Sequence, residues 1–80
     1  MPEKHAKELR LLGLTIAYYR KLQGYTQIEL AEKVNISRTH ISNIEAPGGT
    51  SSVSLKTLFD IADALDIQIK DLFDFPGGSK

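Results

Sequence analysis

Positions 37–46 read SRTHISNIEA, a stretch in which hydrogen-bonding side chains outnumber apolar ones. Ile41 and Ile44 fit one stripe of a short helix, which leaves Arg38, Thr39, Ser42 and Asn43 pointing the other way. Arg38 offers a planar fork of donors, Asn43 an amide that donates and accepts, and Thr39 and Ser42 offer hydroxyls. Such a set suits recognition of another surface by directed hydrogen bonds rather than bond-making chemistry. Groups for bond-making are scarce. There is no cysteine, and His40 has only the distant His5 as a second imidazole, too few for a metal site. No Ser, His and Asp set or carboxylate pair stands out, and PGGTSS lacks the lysine of a phosphate-binding loop. We therefore expect no enzyme, no metal and no cofactor.

The elements that must hold this face are helical almost throughout. A first helix is predicted from about Lys4 to Gln23, with Leu9, Leu12, Ile16 and Tyr19 at spacings of three and four. Gly24 is placed to end it in the left-handed conformation. Glu3 and Glu8 near its start and Arg20 and Lys21 near its end agree with the helix dipole. TQIEL then supplies a capping box, Thr26 with Glu29, ahead of Leu30, Ala31 and Val34. Asn35 can take a left-handed turn, and Ser37 can cap the next helix after a single intervening residue, Ile36. That third helix must stop near Glu45 or Ala46, because Pro47 disfavours helical geometry before it and glycines follow. A fourth helix starts near Ser54, with Leu55, Leu58, Ile61, Ala62 and Leu65 on one face, and IQIKDLFDF forms a short fifth. The expectation is an all-α, compact five-helix bundle forming one domain over residues 1–75, with residues 76–80 a flexible tail.

Eighty residues is a single-domain length. No stretch approaches the roughly 18 apolar residues of a membrane span, and the N-terminus lacks a signal-peptide apolar run. Together with the absence of cysteine, this leads us to expect a soluble cytoplasmic protein. Ten basic side chains balance ten acidic ones overall, yet residues 1–40 sum to +3 and residues 41–80 to −3. Such a division suits a basic working face and an acidic far side.

A capped helix, a tight turn at Asn35 and Ile36, and a short helix with a polar outer face make helix-turn-helix geometry over about 26–46. In that geometry the second helix enters the DNA major groove. TQIELAEKVNISRTHISNIE closely resembles the helix-turn-helix of the family that includes phage repressors, phage Cro proteins and Xre-type regulators (a lambda-repressor-like DNA-binding domain). The resemblance runs from about Leu12 to Phe73 and takes in Arg20, TQ..LA, IS...IE and L..IADAL.I...DLF. It implies that Arg38, Thr39, Ser42 and Asn43 read base edges. The chemistry agrees, since arginine pairs with guanine, asparagine with adenine, and a threonine methyl packs on thymine.

The resemblance also implies that Gln27 touches a DNA phosphate and braces the recognition helix. Thr26 and Ser37 are explained as caps and are candidate phosphate contacts as well. His40 flanks the reading face, as a phosphate contact or as a neutral packing residue. Arg20 and Glu45 stand where the family often ties helix one to the end of the recognition helix by an opposite-charge pair. Treated as a surface pair, it would contribute about 0–1 kcal/mol and act through orientation.

After IE the chain departs from the family pattern, with Ala46-Pro47-Gly48-Gly49 and a longer loop to Ser54. Phosphate contacts there would pass to loop N–H groups, Thr50, Ser51, Ser52 and Lys56. With so few cations a monomer would bind weakly, at about 10⁻⁴ to 10⁻⁶ M without specificity, so a homodimer on a palindromic operator is expected. Ile67, Ile69, Phe73 and Phe75 are candidates for its contact, Ile69 and Phe73 being equally explicable as core. Lys4 to Leu11 is a second candidate surface. The function expected is a sequence-specific double-stranded DNA-binding transcriptional repressor. The alternative is a protein-interaction module, an antitoxin or anti-repressor on the same scaffold. Eighty residues leave no room for a separate ligand-binding domain, so no small-molecule effector is expected.

Overall fold

The computed structural model describes residues 4–47 and 49–74, except the side chains at 51 and 52. Glu3, Gly48, Phe75, the segment 76–80 and the Ser51 and Ser52 side chains therefore lie outside the described residues. The described chain forms α1 (Ala6–Leu22), α2 (Gln27–Val34), α3 (Arg38–Glu45), a 3₁₀ turn (Gly49–Ser52), α4 (Leu55–Ala64) and α5 (Ile69–Leu72). Among the described residues there is no strand, so the all-α expectation holds. No helix is long and apolar enough to cross a membrane, again among the described residues.

Local chemistry sets where these helices begin. The Thr26 hydroxyl accepts from the Glu29 N–H at 3.0 Å, while the Glu29 carboxylate accepts from the Thr26 N–H at 2.8 Å. The Ser37 and Ser54 hydroxyls cap α3 and α4, accepting from the His40 and Thr57 N–H groups.

Three helices end by one device, a left-handed residue that folds two N–H groups back onto late carbonyls. After α1 it is Gly24 (φ 82°), after α2 Asn35 (φ 59°) and after α4 Asp66 (φ 59°). The N–H of the next residue bonds five residues back in each case: Tyr25 to Arg20, Ile36 to Ala31 and Ile67 to Ala62.

Leu12, Ile16, Leu30, Ala31, Val34, Ile41, Ile44, Leu58, Ile61, Ala62, Leu65 and Leu72 form a single buried cluster. Its members come from all five α-helices, which is how a chain this short concentrates its apolar surface. α1 crosses the C-terminal end of α3 so closely that a Cβ at Gly13 would lie 2.7 Å from the Ile44 carbonyl oxygen. Gln23 ties the other end of α1 to α4 by donating to the Leu65 carbonyl at 2.9 Å.

Two expectations change. Leu55, expected on the core face of α4, is 62% exposed. It stands at the first position of the helix, ahead of the Leu58–Leu65 stripe that the core covers. Of the two residues left open between core and dimer contact, Ile69 packs against the core edge, whereas Phe73 stays 50% exposed. Ile67 joins Ile69 at the core edge.

Candidate nucleic-acid interface

α2 and α3 are joined by the left-handed Asn35 and by Ile36, whose N–H closes back on α2. With Ile41 and Ile44 fully buried, the opposite side of α3 is forced outward. Arg38, Thr39 and Asn43 are exposed and Ser42 is half-buried. None of these four side chains makes a hydrogen bond or ion pair among the described residues, so their donors and acceptors are uncommitted. The expected reading face is thus one surface in the structure. His40 is half-buried at its edge, and its side chain likewise makes no hydrogen bond among the described residues.

The far end of α3 is held from behind. Glu45 accepts from Arg20 through two bonds, Nε to Oε2 at 2.6 Å and Nη2 to Oε1 at 3.0 Å. Arg20 also donates from Nη1 to the Tyr25 carbonyl at 2.8 Å. The expected pair is present, but its setting differs from the surface pair assumed. The two side chains are only 10% and 8% exposed. Removing one partner would leave the other charge buried and uncompensated, an effect of about 3–5 kcal/mol rather than 0–1.

Gln27 completes the network. Its Nε2 donates to Glu45 Oε1 at 3.0 Å, joining the first turn of α2 to the last turn of α3. This bond braces the end of α3 against α2. The second N–H of the same amide has no partner among the described residues. Thr26 is exposed at the head of α2 and Ser37 at the head of α3, both engaged as caps.

Beyond α3 the expected phosphate contacts divide. Thr50 is corrected: it is 4% exposed, and its hydroxyl donates to the Leu9 carbonyl at 2.8 Å, fixing the 3₁₀ turn to α1. A side chain turned inward and already bonded is not available to a phosphate. Lys56 is exposed, with its ammonium 2.8 Å from Asp60 one turn later, a pairing that raises its pKa. Lys33 lies 4.8 Å above the Tyr25 ring. The shallow cleft beside the α2–α3 turn holds Lys33 and Lys56 together with Asp60 and Asp63, so its charges are mixed.

Several contributors escape a sequence reading. Gly13 sets how closely α1 meets α3, but a glycine inside a helix pattern carries no address. Gly49 lies so near the Asn43 carbonyl that a side chain would collide with it, which gives the second glycine of PGG a structural reason. Leu55 and Phe59, 62% and 48% exposed at i and i+4 on α4, join Phe73 as outward apolar residues near the C-terminal half. Phe59 stands 100° round the helix from Leu58 and could have been read as outward, whereas Leu55 stands only 60° from it and is exposed by its place at the start of α4.

Comparison with known proteins agrees with this geometry. A family model described as helix-turn-helix matches residues 16–72. The chain belongs to the helix-turn-helix family. It is 34% identical over 64 residues to the transcriptional regulator SinR of Bacillus subtilis, covering 80% of this chain and 57% of SinR. With the immunity repressor protein of Bacillus phage phi105 it shares 41% over 58 residues, covering 72% of this chain and 39% of the repressor. It therefore spans little more than half the length of SinR and less than half that of the repressor.

Solved structures of this family superpose well. The restriction-modification controller protein C.AhdI from Aeromonas hydrophila aligns with a TM-score of 0.76 at 30% identity, over 84% of this chain and 98% of that one. SinR, described as the master regulator for biofilm formation and solved in complex with DNA, aligns at 0.71 and 33%, over 79% and 98%.

Proposed function

We propose that this chain is a sequence-specific double-stranded DNA-binding transcriptional regulator, acting as a repressor in the cytoplasm. α3 lies in the major groove, with Arg38, Thr39, Ser42 and Asn43 on base edges. Gln27, Thr26 and Ser37 stand at the heads of α2 and α3, where N–H groups and short polar side chains favour phosphate. The observation that carries this reading is the uncommitted polar face of α3, held in place by the buried Arg20–Glu45–Gln27 network. The structural likeness to SinR bound to DNA supports it.

The working form is a homodimer on a palindromic operator, with recognition helices about 34 Å apart. The outward apolar residues Leu55, Phe59 and Phe73 support a contact made by α4 and α5. Ile67 and Ile69, at the core edge, lie beside it.

The test is a fluorescence titration of genomic fragments, including the chain's own promoter, over a range of salt. Specific fragments should bind well ahead of random DNA. With three or four phosphates neutralised per copy, the log–log salt slope of the dimer should be about −6. No binding even at low salt would overturn the proposal.

A further inference from the structure

α1 has two apolar faces, and only one of them is used. Leu12, Gly13, Thr15, Ile16 and Arg20 are buried, Thr15 marking the border of the used side. On the other side Leu14, Tyr18 and Leu22 are 50%, 47% and 66% exposed, and Leu11 is half-buried beside them. At 100° per residue these four form a seam about 80° wide, and at 1.5 Å per residue it is about 16 Å long. Isolated apolar residues on a surface are ordinary, but an aligned row is not. The seam points away from α3, because Gly13, on the contrary side of α1, is the residue that meets the Ile44 carbonyl.

Charge says what kind of molecule fits there. Lys7, Arg10 and Lys21 are exposed on α1 and Lys4 just ahead of it, against one exposed acid on the helix, Glu8, and none of the four cations makes an ion pair among the described residues. Lys7 and Arg10 line a shallow groove with Ala6, Leu11 and Leu14 at one end of the seam. A second copy docking through the same face would set Arg10 and Lys21 of one helix beside those of the other, and like charges so placed repel. The narrow width matches the seam of a paired helix rather than the broader stripe of a helix lying in a lipid interface.

We propose that this face of α1 docks an amphipathic helix of another protein, one carrying apolar residues at i, i+3 or i+4, and i+7 with Asp or Glu alongside. The contact leaves the polar face of α3 open. The reading does not depend on DNA binding.

The test uses the full chain and two labelled 18-residue helical peptides with leucines at that spacing, one flanked by Glu and one by Lys. Anisotropy titration should show the Glu peptide binding at least about tenfold more tightly than the Lys peptide. Amide shift changes should be confined to residues 7–22. Leu14→Glu and Arg10→Glu should each weaken the Glu peptide several-fold, with melting temperatures unchanged. The proposal would be overturned by equal binding of both peptides, by shifts on α4 and α5 instead, or by assembly of the chain beyond a dimer that Leu14→Glu abolishes. Tighter binding of anionic phospholipid vesicles than of the Glu peptide, lost in Leu14→Glu, would assign the face to membrane instead.

Discussion

Replacing Glu45 with glutamine removes one charge from a pair whose side chains are 10% and 8% exposed. Glutamine keeps the shape and one acceptor oxygen, but its NH₂ group then confronts the donors of Arg20. Arg20 retains its bond to the Tyr25 carbonyl and loses its countercharge. Loss of one partner from a buried pair amounts to about 3–5 kcal/mol, and the retained oxygen puts Glu45→Gln at the low end. For a domain this small, 1 kcal/mol is worth about 4–8 °C, so the melting temperature should fall by about 12–24 °C. The assay is thermal unfolding followed by far-UV circular dichroism, at low salt and at 1 M salt. A buried pair is little screened, so the drop should persist at high salt. The double replacement Arg20→Met with Glu45→Leu should recover much of the loss, since neither charge is then left alone. A drop of less than about 4 °C would refute the reasoning and return the pair to the class of exposed ones.

Other perturbations follow from the same packing. Gly13→Ala adds a methyl 2.7 Å from the Ile44 carbonyl oxygen, and the overlap should outweigh the better helix propensity of alanine. A net loss of about 1–3 kcal/mol is expected in chemical denaturation; a gain in stability would mean that α1 and α3 separate freely. Asp66→Asn keeps a residue suited to the left-handed conformation and removes a negative charge from the C-terminal end of α4. It should stabilise by about 0.3–1 kcal/mol, read as a small rise in melting temperature, and a fall would contradict that account of the cap.

What the sequence discloses and what it withholds divide along physical lines. Thr26 with Glu29, Asn35 and Ser37 are legible because capping is local chemistry, decided within four residues. The polar set on α3 is legible because Ile41 and Ile44 fix which side turns inward. The family resemblance adds roles to these residues, but Gln27 shows its brace only once α3 is folded beside α2. The depth of the Arg20–Glu45 pair is withheld for the same reason, since α1, Tyr25 and Gln27 together enclose it. Thr50 reads as a loop hydroxyl until the 3₁₀ turn closes on Leu9. Asp66 reads as one of many acids, and only the tight exit from α4 requires it to turn left-handed.

The central claim is that the outward face of α3 reads base edges, and Arg38→Ala tests it most directly. Affinities of the wild type and the variant should be measured on the selected operator, on every single-base variant of one half-site, and on random duplex at the same salt. The variant should lose about 1–3 kcal/mol on the operator, relax its preference at one base pair and change little on random DNA. An equal loss on operator and random duplex, with every base preference intact, would contradict the claim and assign Arg38 to the phosphate backbone.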